Sequence, residues 1–363
     1  MNKFNVRFGY PRKDTCSTCD EIKSEASKEL SADERHALDV RRELHLRKSQ
    51  TFYDRKTAAA QEARDNPHVS AACFDFWKNL PCPNITTNDI YFKRQLSAYT
   101  FNIHELGNNK VHLYSYDETV GRKGANEVAS LLMAFFNSLP AEVTHLRLFC
   151  DSCPGQNKNW TVFRTLHYMV VHQRRFKEIT LHFPVRGHSY MECDRDMVPV
   201  NQKLPLETPA AWREHFRDAR RNPSPFTVVP VTAGMLVAVD KSIRNFYYAA
   251  CPFKVLAVRE AIFSSDHPRL IRYRENWNGP FSPAVVAKPA AKGKRIVRSP
   301  LEPVSNAPLP IKNKKCYDLL HIKKFCVAEE SKTYFSSLSY VGQEDNNDDD
   351  NSELSEDYAS DEE

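Results

Sequence analysis

A chain of 363 residues with 41% hydrophobic content can bury a real core, as one large domain or two modest ones. Glycine occurs only 10 times, with no Gly-x-Gly-x-x-Gly or Walker pattern, which argues against a glycine-rich phosphate-binding fold. The formal net charge of +5 hides an asymmetry: residues 344–363 hold 11 acidic side chains and no basic one, leaving +16 on the rest.

A body that basic points to a polyanionic partner, nucleic acid and DNA above all. The acidic tail cannot bury enough surface to offset chain entropy and is expected to be disordered. It could screen the basic surface or bind a protein partner. No apolar run near residue 1 has signal-peptide length, and none anywhere reaches membrane-spanning length. The expectation is an intracellular protein, nuclear or cytoplasmic, with ten reduced cysteines and no membrane contact.

Taken in chain order, residues 1–68 form a charged helical region. Leu30, Ala37, Leu38, Leu44 and Phe52 give a loose apolar stripe, which suits one or two long exposed helices, such as a hairpin. Residues 69–204 alternate differently. Val69–Phe76, 97–104 and 110–116 read as strands, the last two joined by the turn Gly107-Asn108-Asn109. Helices are predicted over 126–137 and Trp160–Val171, strands over 144–150 and 178–183, and a last helix over 192–202.

The order β-β-β-α-β-α-β-α predicts an α/β protein with a ribonuclease H-like mixed sheet. Residues 205–280 read as a small β-rich carboxyl-terminal appendage, with strands over 226–239 and 246–258. Residues 281–310 read as a Pro/Ala/Lys linker carrying the basic run Lys292-Gly293-Lys294-Arg295. Residues 311–338 read as a short helical segment, and 339–363 as the acidic tail.

The most informative stretch is Leu146-Arg147-Leu148-Phe149-Cys150-Asp151-Ser152-Cys153-Pro154-Gly155-Gln156-Asn157-Lys158-Asn159. It reads as a buried strand ending on an acid, then a polar turn, then a helix start. Open α/β sheets place their chemistry at the carboxyl ends of central strands. The plainer reading is that Asp151 only caps a helix. In the predicted fold the strand carrying Asp75 adjoins the one ending at Asp151, and Asp194 falls on the helix after the fifth strand. Three such acids could hold two Mg²⁺ or Mn²⁺ ions for phosphodiester chemistry. Asp196 competes with Asp194 as the third acid. Glu118, Glu127 and His188 are further candidates, each with a surface ion pair or loop role as the plainer reading. Gln156, Asn157 and Lys158 are candidate phosphate contacts.

Cys16 and Cys19 have the spacing of half a zinc site. His45 is the best third ligand, and the sequence identifies no fourth. Cys150 and Cys153 share the spacing, but Cys150 falls within a buried strand. For both pairs the plainer reading is small buried hydrophobes.

The stretches Phe74-Asp75-Phe76, Leu80-Pro81-Cys82-Pro83, Tyr116-Asp117-Glu118-Thr119, Cys150 through Asn159, and Gly187-His188-Ser189-Tyr190-Met191-Glu192-Cys193-Asp194 resemble a large family of transposon-derived animal proteins. Asp14-Thr15-Cys16-Ser17-Thr18-Cys19 and His45-Leu46 match that family's upstream region. The resemblance implies a transposase or nuclease core of ribonuclease H-like fold, metal-dependent cutting and joining of DNA, and Asp75, Asp151 and Asp194 as its metal-binding acids. Homo-oligomers are common among such transposases. Two other expectations stand beside the enzyme: a non-catalytic nucleic-acid-binding or chromatin-associated derivative, and a protein-interaction scaffold.

Overall fold

The computed structural model describes residues 15–200, 203–289 and 301–340. The basic run at 292–295 and the acidic tail beyond 340 lie outside them, as do residues 201–202; the helix expected over 192–202 ends at Asp196, and a turn follows it.

The chain begins with two helices, α1 (Ser17–Ala26) and α2 (Ala32–Asp65). Ser31 opens α2 with a capping box, exchanging hydrogen bonds with Glu34. Next come β1 (Val69–Phe76), the short β2 (Leu80–Cys82), α3 (Asn88–Tyr91), β3 (Leu96–Glu105) and β4 (Val111–Asp117). Then α4 (Ala125–Ser138), β5 (His145–Cys150), α5 (Trp160–Val171), β6 (Glu178–His182) and α6 (Glu192–Asp196) follow. The remainder is α7 (Pro209–Ala219), β7 (Thr227–Pro230), α8 (Val239–Ile243), β8 (Glu260–Ser264), β9 (Leu270–Arg274), β10 (Ser282–Val285), α9 (Asn313–Ile322) and α10 (Glu329–Ser336).

All ten strands form one mixed sheet, ordered β10-β9-β8-β6-β5-β1-β3-β4-β7, with β2 paired to β3. β1 pairs antiparallel with β3 and parallel with β5, and β5 pairs parallel with β6. The protein is therefore a mixed α/β fold.

Strand alternation sorts the core into two faces. Ala72, Phe74 and Phe76 of β1, with Leu146 and Leu148 of β5, pack in the cluster that includes α4 and α5. Ala71 and Cys73, with Phe149, pack in the cluster holding Phe52 and Ala59 of α2. Phe52 is wholly buried there, which contributes roughly 2 kcal/mol. The otherwise charged α2 thus lies on the sheet through a narrow stripe of small and aromatic residues.

Residues 205–280 form no separate β-rich appendage. β7 extends one edge of the sheet beside β4, while β8 and β9 extend the other beside β6. The pairing satisfies backbone groups that β4 and β6 would otherwise leave open as sheet edges. The stretch expected as a strand over 246–258 forms 3-10 turns around Arg244–Phe246 and Val255–Ala257 instead. Helix α7 was not expected; Trp212 and Phe216 bury it against Trp77 and Leu80. The stretch expected as a linker begins with β10, and the stretch expected as helical holds α9 and α10.

Candidate functional site

The register Phe74↔Cys150 is the last pair between β1 and β5, and Asp75 and Asp151 follow it directly. Alternation turns both toward the face that carries α2 and α6. The turn after β5 then closes on itself. The Cys153 carbonyl accepts hydrogen bonds from the backbone N–H groups of Gln156, Asn157 and Lys158, at 3.4, 2.9 and 2.9 Å. Asn159, not Asp151, caps α5: its Oδ1 accepts from the Val162 N–H at 3.0 Å. Its Nδ2 donates to the carbonyls of Pro154 and Gln156 at 3.0 and 2.9 Å.

This turn delivers Asn157, wholly buried, between the two acids. Asn157 Nδ2 donates to Asp151 Oδ1 at 2.5 Å and to Asp75 Oδ1 at 3.2 Å. Asp75 Oδ1 also accepts from the Phe76 N–H, and Asp151 Oδ1 from the Cys153 N–H at 3.2 Å. Even so, burial and the neighbouring Asp151 charge push the Asp75 carboxyl well above the usual carboxylate range. Burial raises Asp151 as well; the bonds from Asn157 and Cys153 oppose it, and the Asp194 charge adds to it. Lys123 supplies a nearby positive charge, held by the Trp77 carbonyl at 3.1 Å and Asn79 Oδ1 at 3.0 Å.

Asp194 lies in the field of both acids, but its Oδ2 accepts from the Met191 N–H at 2.7 Å, at the start of α6. Asp196, the competing third acid, sits in a different buried network. It accepts from Asn102 Nδ2 at 3.0 Å and Arg220 at 3.3 Å, and pairs with His104 Nδ1 at 2.8 Å.

Glu118 and Glu127 are held apart from this pair, whereas Gln156 and Lys158 lie in its turn and the Lys158 charge acts on Asp151. Glu118 pairs with Lys315 Nζ at 2.8 Å and accepts from the Ser97 N–H. Glu127 caps the start of α4, accepting from the Arg122 and Gly124 N–H groups at 3.0 and 3.1 Å. Lys158 is buried, its ammonium 4.7 Å from the Phe183 ring centroid. Gln156 is half-buried. Asn157 and Lys158 therefore sit inside the turn, not on a phosphate-facing surface.

His188 is drawn into a second constellation. Cys16, Cys19, His45 and His188 bring one ligand atom each to within 4.8 Å of one another. Cys16 Sγ lies 3.2 Å from His45 Nε2, Cys19 Sγ 3.4 Å from His188 Nε2, and the two Nε2 atoms 2.9 Å apart. This cluster could bind a metal such as zinc. Among the described residues it is the only set of three or more Cys, His, Asp or Glu groups gathered so tightly. Cys150 and Cys153 are not part of it, and Cys150 is fully buried at the end of β5. No spacing rule could have supplied His188, which stands 169 residues from Cys19.

A family described as a domain of unknown function, DUF7869, matches residues 100–217. That span contains Asp151, Asn157, His188 and Asp194 but not Asp75, Cys16, Cys19 or His45. No curated protein and no solved structure matches the chain. Among the described residues, no helix is long and apolar enough to cross a membrane.

Proposed function

We propose that this is a transposase-derived protein with a ribonuclease H-like core that cleaves and joins DNA phosphodiesters with divalent metal. The strand order β4-β3-β1-β5-β6, an antiparallel meander followed by two parallel strands, supports the fold part of this reading. The resemblance of the Asp75, Asp151 and Asp194 stretches to transposon-derived proteins supports the activity.

One observation carries the assignment: Asp75 and Asp151, from neighbouring parallel strands, converge on a single amide group. Two desolvated carboxylates facing each other are costly unless something positive lies between them. Asn157 offers only partial positive charge, and its own Oδ1 is buried without a partner. Hard oxygen donors in this arrangement fit Mg²⁺ or Mn²⁺. When bound, such ions activate the attacking oxygen and stabilise the leaving one.

The chain's own residues prepare the rest. Asp75 and Asp151 supply the ligand oxygens, Asn157 sets their separation, and Asp194 adds negative charge from α6. Lys123, beside the pair, can neutralise charge on an incoming phosphate. The basic body draws DNA in, and affinity should fall linearly with salt on logarithmic axes; a flat response would remove nucleic acid as the partner.

The decisive experiment compares the parent with Asp151→Asn in a DNA cleavage assay with Mn²⁺. Cleavage by the parent and loss in the variant is the expected result. Equal cleavage by both, or by neither, removes the catalytic assignment. Salt-sensitive binding without cleavage would instead favour a nucleic-acid-binding derivative.

A further inference from the structure

We infer that Cys16, Cys19, His45 and His188 form a closed structural zinc site that staples the amino-terminal helical hairpin to the loop entering α6. The ligands come from three segments that are far apart in the chain and are otherwise joined here by few polar contacts, Arg41 to Glu21 and Glu25 among them. Cys16 and Cys19 stand at the start of α1, His45 lies on α2, and His188 lies in the loop between β6 and α6.

The chemistry of the four atoms selects the ion. Two thiolates and two imidazoles are the ligands of tetrahedral zinc, and they suit Mg²⁺ poorly. Zinc at its usual bond lengths sets ligand-to-ligand edges of roughly 3.3–3.8 Å. The observed 3.4 Å falls at the short end of that range, while 3.2 Å and the 2.9 Å between the two Nε2 atoms are tighter, so a bound ion would spread the ligands by a few tenths of an ångström. All four positions are protein ligands, so the site is closed and structural in type.

The surroundings are shaped for the same contact. The Tyr53 hydroxyl donates to the His188 carbonyl at 2.9 Å and fixes the loop from α2. Gly187 adopts φ +77°, and a Cβ there would lie 2.5 Å from Cys16 Cα. Only glycine lets the two halves of the site approach this closely.

Beyond His188 the same loop is held at its far end. Lys56 Nζ pairs with Glu192 Oε2 at 2.5 Å, and Trp77 Nε1 donates to the Cys193 carbonyl at 2.9 Å. Asp194 lies between these residues and Asp196. Zinc at one end and these contacts at the other would fix where α6 presents Asp194 to Asp75 and Asp151. This consequence rests on the nuclease reading, whereas zinc binding rests on the four ligands alone. His188 is thus a positioning residue.

The test uses the full chain purified under reducing conditions. Elemental analysis should find one zinc per chain, and replacement by Co²⁺ should give the visible spectrum of tetrahedral sulfur–nitrogen coordination. His188→Ala should lose the metal and several degrees of Tm. His188→Cys, which restores a soft fourth ligand, should regain both. Asp151→Asn should keep its zinc whatever it does to cleavage, so the two readings fail separately. A parent chain without stoichiometric zinc or a tetrahedral Co²⁺ spectrum would overturn the site, as would full zinc retention by His188→Ala.

Discussion

Asn157 Nδ2 lies 2.5 Å from Asp151 Oδ1, six residues back in the same turn. The contact folds the turn inward, so that the same amide also reaches Asp75 on the neighbouring strand. A local turn thereby becomes the joint between two strands.

Removing that joint should be costly. Asn157→Ala deletes two hydrogen bonds to carboxylates and leaves the pair facing each other with less compensation. The expected loss of stability is about 1–3 kcal/mol in denaturant unfolding. The variant's stability should also depend more steeply on pH near neutrality. An unchanged unfolding midpoint and pH profile would show that the amide does not hold the pair.

The acids themselves predict a pH dependence. Asp75 and Asp151 both have folded-state pKa values above the ordinary range. The unfolded chain therefore releases these protons first, and stability falls as pH rises from the usual carboxylate range through the raised values. Without metal, Asp75→Asn should flatten that fall and gain about 0.5–2 kcal/mol at pH 7. Mn²⁺ should raise the Tm of the parent and not that of the variant. Thermal scans across pH, with and without Mn²⁺, read both effects. Identical profiles for the two proteins would contradict the carboxylate-pair account.

Lys56 and Glu192 form an almost buried ion pair between α2 and α6. Burial pushes the Glu192 carboxyl up, but the hydrogen bond and charge of Lys56, its own backbone N–H and the Arg195 charge together outweigh it and hold the carboxyl below its ordinary value. That contribution is present above the unfolded-state pKa and is lost as pH falls through the depressed folded one. Lys56→Met should cost about 1–3 kcal/mol at neutral pH, because Glu192 loses its buried partner and keeps only the exposed Arg195. Measured by urea unfolding, the deficit should shrink toward acid pH. A deficit that stays constant with pH would assign the loss to packing alone.

Gly187→Ala tests the close approach of the His188 loop to Cys16. The added methyl meets backbone, not a flexible side chain, and the residue also needs a positive φ. A loss of about 1–3 kcal/mol is expected, and Cys16 should label faster with a thiol reagent as the two segments part. Parental stability and labelling rate would show that the segments separate freely.

Much of the local structure was legible in the chain. Val69–Phe76 and Trp160–Val171 form over the residues expected, because strand alternation and helical periodicity are carried by near neighbours. Placing Asp75 and Asp151 at one end of two strands was also within reach, since parity fixes which face each side chain takes. The roles inside the turn were not legible. Asn157 and Lys158 look like surface donors in a polar stretch, and only the closure around the Cys153 carbonyl buries them. Asp194 and Asp196 were equivalent until the His104, Asn102 and Arg220 contacts separated them.

By itself, then, the sequence determined the charged helical start, the alternating strands and helices, and a short list of acids, cysteines and histidines. Each of these is written in residues a few positions apart. The tertiary structure alone decided that β7, β8 and β9 join the one sheet, and that His188 completes the group begun by Cys16, Cys19 and His45. It also decided that one asparagine amide spans Asp75 and Asp151. The physical reason is common to all three. Edge pairing, ligand convergence and buried hydrogen bonds depend on distances set by the packing of remote segments, and no local periodicity encodes them.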